Sequence, residues 1–229
     1  MRTFLSTVFR SARNASRNPA SIRRPIGLPR ALFHFLHPGL WEAFFASLRV
    51  PVVLSAPTFR ATLERADLIS ETEHCLPVKL LDAHLDDLAA RVDRVFVPRI
   101  LSLCRGFISC PKLAALPDAV RAQFRGRFEV VTADVDENRG PLARTLADLG
   151  ARMGFPPAET GRAATAALRA PATAQASTAP AADASPRRFL LIGHPYNLED
   201  AYLSDPVCLK MASMGVPLDR MACGRPLGA

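Results

Sequence analysis

From Pro25 onward the chain alternates short apolar runs with longer segments of helical periodicity, and this alternation restricts the fold more than any other feature. PIGLP reads as a first strand, LWEAFFASL as a helix and VPVVLS as a second strand. TFRATLERA then reads as a helix with Thr58 as its N-cap. The next helix carries Val78, Leu81, Leu85 and Leu88 on one side, with Lys79, Asp82, Asp86 and Asp87 mostly on the other. That is the pattern of a surface helix over a core, with His84 as a partly exposed residue on it. RVFVP reads as a short buried strand, followed by a loop to Pro117, a helix PDAVRAQF and a single strand FEVVTADV. GPLARTLADLGARMG is again helical. Strands and helices in this order predict an α/β fold: an open, mainly parallel sheet with flanking helices.

The pattern breaks in AATAALRAPATAQASTAPAADASP, which has little to bury and reads as a linker. It then restarts with RRFLLIGHPYN as strand and turn, DPVCLKMASMG as helix and VPLDRM as strand. The expected organisation is a basic leader over residues 1–24, an α/β domain over 25–160, a linker over 161–187 and an incomplete second α/β unit over 188–229. No apolar run approaches the length of about 18 residues that a spanning helix needs, so no membrane partner is expected.

A net charge of +8 suggests nucleic acid at first sight. However, Arg2, Arg10, Arg13, Arg17, Arg23, Arg24 and Arg30 place +7 of it in the first thirty residues, which hold no acid. The remainder is close to neutral, and the aromatics are not interleaved with basic residues as a base-stacking surface requires. Nucleic acid is therefore not an expected partner. The leader is rich in Arg and Ser, like an organellar transit peptide, but reads more simply as a basic arm.

Cys75, Cys104, Cys110, Cys208 and Cys223 are scattered and follow no secretory signal, so reduced thiols and a cytoplasmic location are expected. Cys75 precedes Pro77 in the first turn of a helix, and Cys110 repeats the arrangement in ISCPKL, with Lys112 two residues on. There, backbone N–H groups and the positive end of the helix dipole would face each sulfur and favour thiolate. Such a thiol could be a metal ligand, a nucleophile or a small buried filler. Zinc fits poorly, because no Cys-x-x-Cys pair or regularly spaced His occurs. His74 adjoins Cys75, but adjacent residues seldom form a nucleophile–base pair. Cys208 lies beside the Val207, Met211, Met214 stripe of its helix and reads as core, while His194 in GHPYN sits at a strand end. No P-loop or Gly-x-Gly-x-x-Gly appears.

Taken in order, IGLPRAL, LWEAFFASL, VPVVLS, CLPVKLLDAHLDDL, VFVPRILSL, ISCPKLAALPD and LLIGHPYNLEDAYLSD resemble the acyl-CoA dehydratase activase-related proteins, relatives of the 2-hydroxyacyl-CoA dehydratase subunits. The resemblance covers residues 25 to about 135 and 188 to about 218. It implies a cysteine-bound [4Fe–4S] cluster, with Cys75 and Cys110 at the matching positions and Cys104 as a further candidate ligand. It also implies an activator ATPase as electron-donating partner, with acyl-CoA as ligand and the chain acting as a dimer or as a subunit of a hetero-complex. Such proteins continue past the point where this chain ends, so a C-terminally truncated relative is expected. Whether the chain is an enzyme is left open. A non-catalytic binding or assembly module of the same fold is the alternative, and a Cys-dependent hydrolase is a distant third.

Overall fold

The computed structural model describes residues 22–170 and 189–222. The first strand, β1 (Ile26–Leu28), leads into a one-turn helix, α1 (Phe33–Leu36), and a longer one, α2 (Leu40–Ser47), before β2 (Val52–Leu54). Helices α3 (Arg60–Ile69) and α4 (Leu76–Ala89) carry the chain to β3 (Arg94–Phe96) and β4 (Arg99–Ser102). Helix α5 (Pro111–Gln123) returns it to β5 (Glu129–Val131) and β6 (Asp134–Asp136), and α6 (Leu142–Met153) and α7 (Pro157–Arg169) follow. The last segment holds β7 (Phe189–Gly193), the one-turn α8 (Pro195–Leu198), α9 (Ala201–Ser213) and β8 (Leu218–Ala222).

The sheet is open and parallel, as the alternation predicts. Its order is β2-β1-β3-β5, and every pair runs parallel. Beyond β3 and β5 the regular strands lapse at residues 97–98 and 132–133 and resume as β4 and β6. The amides of Val97 and Arg99 donate to the carbonyls of Val131 and Ala133 across this interval (2.9 and 2.8 Å), so the hydrogen bonding continues through it. FEVVTADV is consequently two strands rather than the single one expected.

Three further boundaries differ from expectation. The helix read as starting at Pro117 starts at Pro111, because a proline in the first turn gives up no helical hydrogen bond, and Pro117 lies inside it. Helix α3 is capped by Phe59, not Thr58, whose hydroxyl is engaged elsewhere. Residues 161–169, read from composition as linker, belong to α7, which buries Thr160, Ala163, Ala164 and Ala167. Small side chains pack closely there without a large apolar signal. The rest of the linker lies outside the described residues.

The core is aromatic at its centre. Phe96 on β3 meets Phe33, Trp41 and Phe45 at ring-centroid distances of 5.8, 4.6 and 5.3 Å. All four rings are almost wholly buried. Leu32 enters this core at the cost of a left-handed backbone (φ 45°), which for a branched residue strains the chain by about 1–3 kcal/mol. Among the described residues no helix is long and apolar enough to cross a membrane.

Candidate functional site

The chain runs outward from β1 to β2 and then crosses back to β3, which places the topological switch point of the sheet between β1 and β3. In open α/β sheets ligands bind above the C-terminal strand ends at that point. A helix that returns the chain to the start of a parallel strand must itself begin at the C-terminal edge. Helices α4 and α5 do so for β3 and β5, and their N-cap residues are Cys75 and Cys110.

Both thiols therefore stand at one edge of the sheet, and both are exposed. The turns that bear them are tied together by Lys112, whose Nζ donates to the Glu73 carbonyl at 2.5 Å. Glu73 and Lys112 each lie two residues from their cysteine, a span of about 7 Å of extended chain at most. At the far end of α5 from Cys110, Gln123 donates from Nε2 to the Ile69 carbonyl (3.1 Å). Neither thiol accepts a capping hydrogen bond from its own helix.

Cys104 is also exposed, in the loop between β4 and α5. The loop is closed at its base by the Ser109 amide on the Leu101 carbonyl (2.8 Å). Asn138 holds its tip, accepting from the Gly106 amide (2.7 Å) and donating to the Phe107 carbonyl (2.9 Å). Gly106 is needed there because its φ of 85° is left-handed. The loop presents Phe107 and Ile108 to solvent, Ile108 being 89% exposed. Among the described residues no group of three or more His, Cys, Asp or Glu is gathered closely enough to hold a metal ion. Cys223 lies outside those residues.

The other expected positions fall as follows. His74 turns Nδ1 toward the buried carboxylate of Asp82, at 3.4 Å. Burial raises the Asp82 pKa, with Ser70 and His74 opposing. Asp82 thus sits on the core side of α4 rather than on its solvent face. His194 stacks on Tyr196 with ring centroids 5.0 Å apart. Cys208 is half-buried, and its neighbours Val207 and Met214 are exposed, so the stripe on α9 is not core among the described residues.

A second polar cluster lies beside the switch point, and only the folded chain brings it together. His84, expected to be partly exposed, is 2% exposed. The Arg30 amide donates to Ser55 Oγ (2.8 Å), which lies 3.0 Å from His84 Nδ1. On the other side of the ring, Nε2 lies 3.1 Å from Thr58 Oγ1, whose hydroxyl donates to Asp200 Oδ2 at 2.5 Å. Asp200 also caps α9 by accepting from the Tyr202 amide (3.0 Å).

These partners fix the directions of the chain. The Thr58 proton is committed to the carboxylate, so Thr58 Oγ1 accepts from His84 Nε2–H. His84 Nδ1 is then the acceptor, and Ser55 donates to it while accepting from Arg30. Every member is satisfied with a neutral imidazole. Asp87 on α4 was read as a polar outer-face residue, and its carboxylate accepts from the Ala56 amide at 3.2 Å. Sequence periodicity could not reveal the cluster, because Asp200 is remote in the chain from Ser55, Thr58 and His84.

Burial pushes the His84 pKa down to about 4 from its ordinary 6.5; the positive charge of His34 and Arg30 adds to this and Asp87 opposes it. The folded protein thus resists protonation of a ring that the unfolded chain protonates near pH 6.5. Stability from this group is full above that pH and is lost as pH falls toward 4, by about 2 kcal/mol between pH 7 and pH 5 and about 3 in all. Asp200 shifts upward, mainly by burial, and acts in the opposite sense, favouring the folded state as it protonates. Urea unfolding at pH 7 and pH 5 should show a clear loss for the wild type and a much smaller one for His84→Gln. Equal losses in the two proteins would show that the fold does not hold His84 neutral.

The fold and the site define an open parallel α/β protein whose switch-point edge carries exposed thiols on neighbouring turns. The chain belongs to the family described as the CoA enzyme activase uncharacterised domain, whose model matches residues 25–220. This match supports the resemblance read from the ordered motifs. No curated protein and no solved structure matches the chain.

Proposed function

We propose that this chain is the iron–sulfur-carrying component of an acyl-CoA dehydratase- or activase-type system, receiving an electron from a partner ATPase. The observation that carries this is the placement of Cys75 and Cys110. Each is exposed at the first turn of a Pro-led helix, on turns joined by Lys112 and Glu73.

Soft thiolate donors suit iron, so the donor chemistry fits the cluster. The number of ligands does not fit a complete site, because no group of three is assembled among the described residues. Cys75 and Cys110 therefore supply part of a ligand set, with Cys104 as the nearest further thiol along the chain and a partner completing the rest. When bound, a cluster would supply one-electron transfer. The chain's own residues position the thiols: Lys112 links the two turns, and Asn138 holds the Cys104 loop.

Anaerobic reconstitution with iron and sulfide, in the presence of the cognate ATPase, tests this directly. The broad visible absorbance of thiolate-bound iron is expected for the wild type and should be lost in Cys75→Ser and Cys110→Ser. Absorbance absent from the wild type, or unchanged in both variants, would count against the cluster. The second reading, a non-catalytic binding module of the same fold, rests on the burial of His84 and Asp82, which withdraws them from general acid–base work at the surface. Unaltered cellular function in the double variant would favour it.

A further inference from the structure

The C-terminal strand ends of the two parallel units face each other. Helix α1 follows β1, α8 follows β7, and these two one-turn helices pack together. Asp200, just past α8, reaches Thr58 in the loop after β2. Ligands of open α/β proteins bind at such edges and between such units. The loop from β1 to α1 lies there, and it carries a cation without a counterpart, Arg30.

Arg23, Arg24, Arg94, Arg99 and Arg220, the other described arginines that are not exposed, each donate to a carboxylate or a carbonyl. Arg30 is half-buried, and its amide donates to Ser55 Oγ. Its guanidinium makes no hydrogen bond or ion pair among the described residues. It is nevertheless close enough for its charge to act on Glu42 and His84. The acids of this region are engaged elsewhere. Glu42 Oε1 lies 3.1 Å from His34 Nδ1. Asp200 accepts from Thr58 and the Tyr202 amide, and Asp87 from the Ala56 amide and Arg91.

Two donors next in the chain are unclaimed as well. Ala31 and Leu32 are 4% and 2% exposed, and their amides reach no acceptor among the described residues. Buried amides without an acceptor are rare, and water or a ligand normally fills the place. Leu32 also holds the strained left-handed backbone (φ 45°), and strain of this kind concentrates where loops clamp ligands.

We infer that Arg30, with the amides of Ala31 and Leu32, binds the phosphate group of a small ligand at the edge between the two units. A guanidinium fork matches two phosphate oxygens and main-chain amides suit a third, whereas a planar carboxylate offers only two. No cysteine takes part, so the site is independent of the proposed cluster.

Calorimetric titration of the full chain with inorganic phosphate, at constant ionic strength in chloride, is expected to show saturable binding in the millimolar range. Arg30→Gln should weaken it by about tenfold or more, the loss of one bidentate charged contact. Arg30→Lys keeps the charge but not the fork and should fall between the two. Arg125→Gln makes the same change of charge on the exposed turn after α5 and should bind like the wild type, which separates the site from general attraction to a basic chain. Glycerol 3-phosphate distinguishes the sources: binding as tight as that of phosphate identifies an ester as the ligand, and binding of phosphate alone identifies the free ion. Since its guanidinium has no partner to lose, Arg30→Gln should melt in chloride at the wild-type temperature. Melting well below that temperature would show that the guanidinium is already engaged and would overturn the inference. So would a wild type without saturable binding, acetate bound as tightly as phosphate, or an Arg30→Gln chain that binds like Arg125→Gln.

Discussion

His84→Ala is expected to lower the unfolding free energy by about 4 kcal/mol at pH 7, from stranded polar groups at about 1–3 kcal/mol each and the cavity left behind. Ser55, itself 2% exposed, would lose the acceptor for its proton. Thr58 would lose the donor that orients its hydroxyl toward Asp200. The damage should extend beyond α4, because Asp200 belongs to the segment that carries β7 and β8. Cleavage by trypsin after Lys210 and Arg220 should therefore accelerate together with the loss of stability. A loss below about 1 kcal/mol would mean that water replaces the ring at little cost.

Phe96→Ala is expected to cost a similar amount, about 4 kcal/mol, for a different reason. Phe96 is fully buried and is the ring on which Phe33, Trp41 and Phe45 converge from α1 and α2. Three aromatic pairings and the transfer of a whole ring from water are lost together. Phe107→Ala supplies the contrast. Its side chain is exposed on the loop beside Cys104, so the change should stay within about 0.5 kcal/mol. Guanidinium unfolding of the two variants separates the cases, and comparable losses would show that Phe107 is buried within the folded chain rather than exposed.

The same contrast shows how much of the molecule can be read without coordinates. Strands β1, β2, β3, β7 and β8 and helices α2, α4, α6 and α9 fall where apolar runs and helical periodicity put them, because each element buries one face and the sequence must supply it. The position of Cys75 at a helix start was also legible, since Cys-Leu-Pro marks a first turn, whereas the helix that Cys110 caps reads as starting only at Pro117. The boundaries that differed have local causes. Pro117 reads as a start but sits within a helix, and the alanine-rich end of α7 has the composition of a linker.

Periodicity also misassigned His84 and Asp82. A helix wedged between a sheet and a neighbouring helix buries more than one stripe, and α4 packs on both α3 and β3.

The amino-acid sequence by itself determined the strand–helix order, the family and the thiol of Cys75 at a helix start, all of which depend on residues close together in the chain. The tertiary structure alone decided that the two thiols share an edge and that Ser55, His84, Thr58 and Asp200 form one hydrogen-bonded chain. Those properties arise between residues far apart in sequence, where crossover topology and packing, rather than local propensity, set who meets whom.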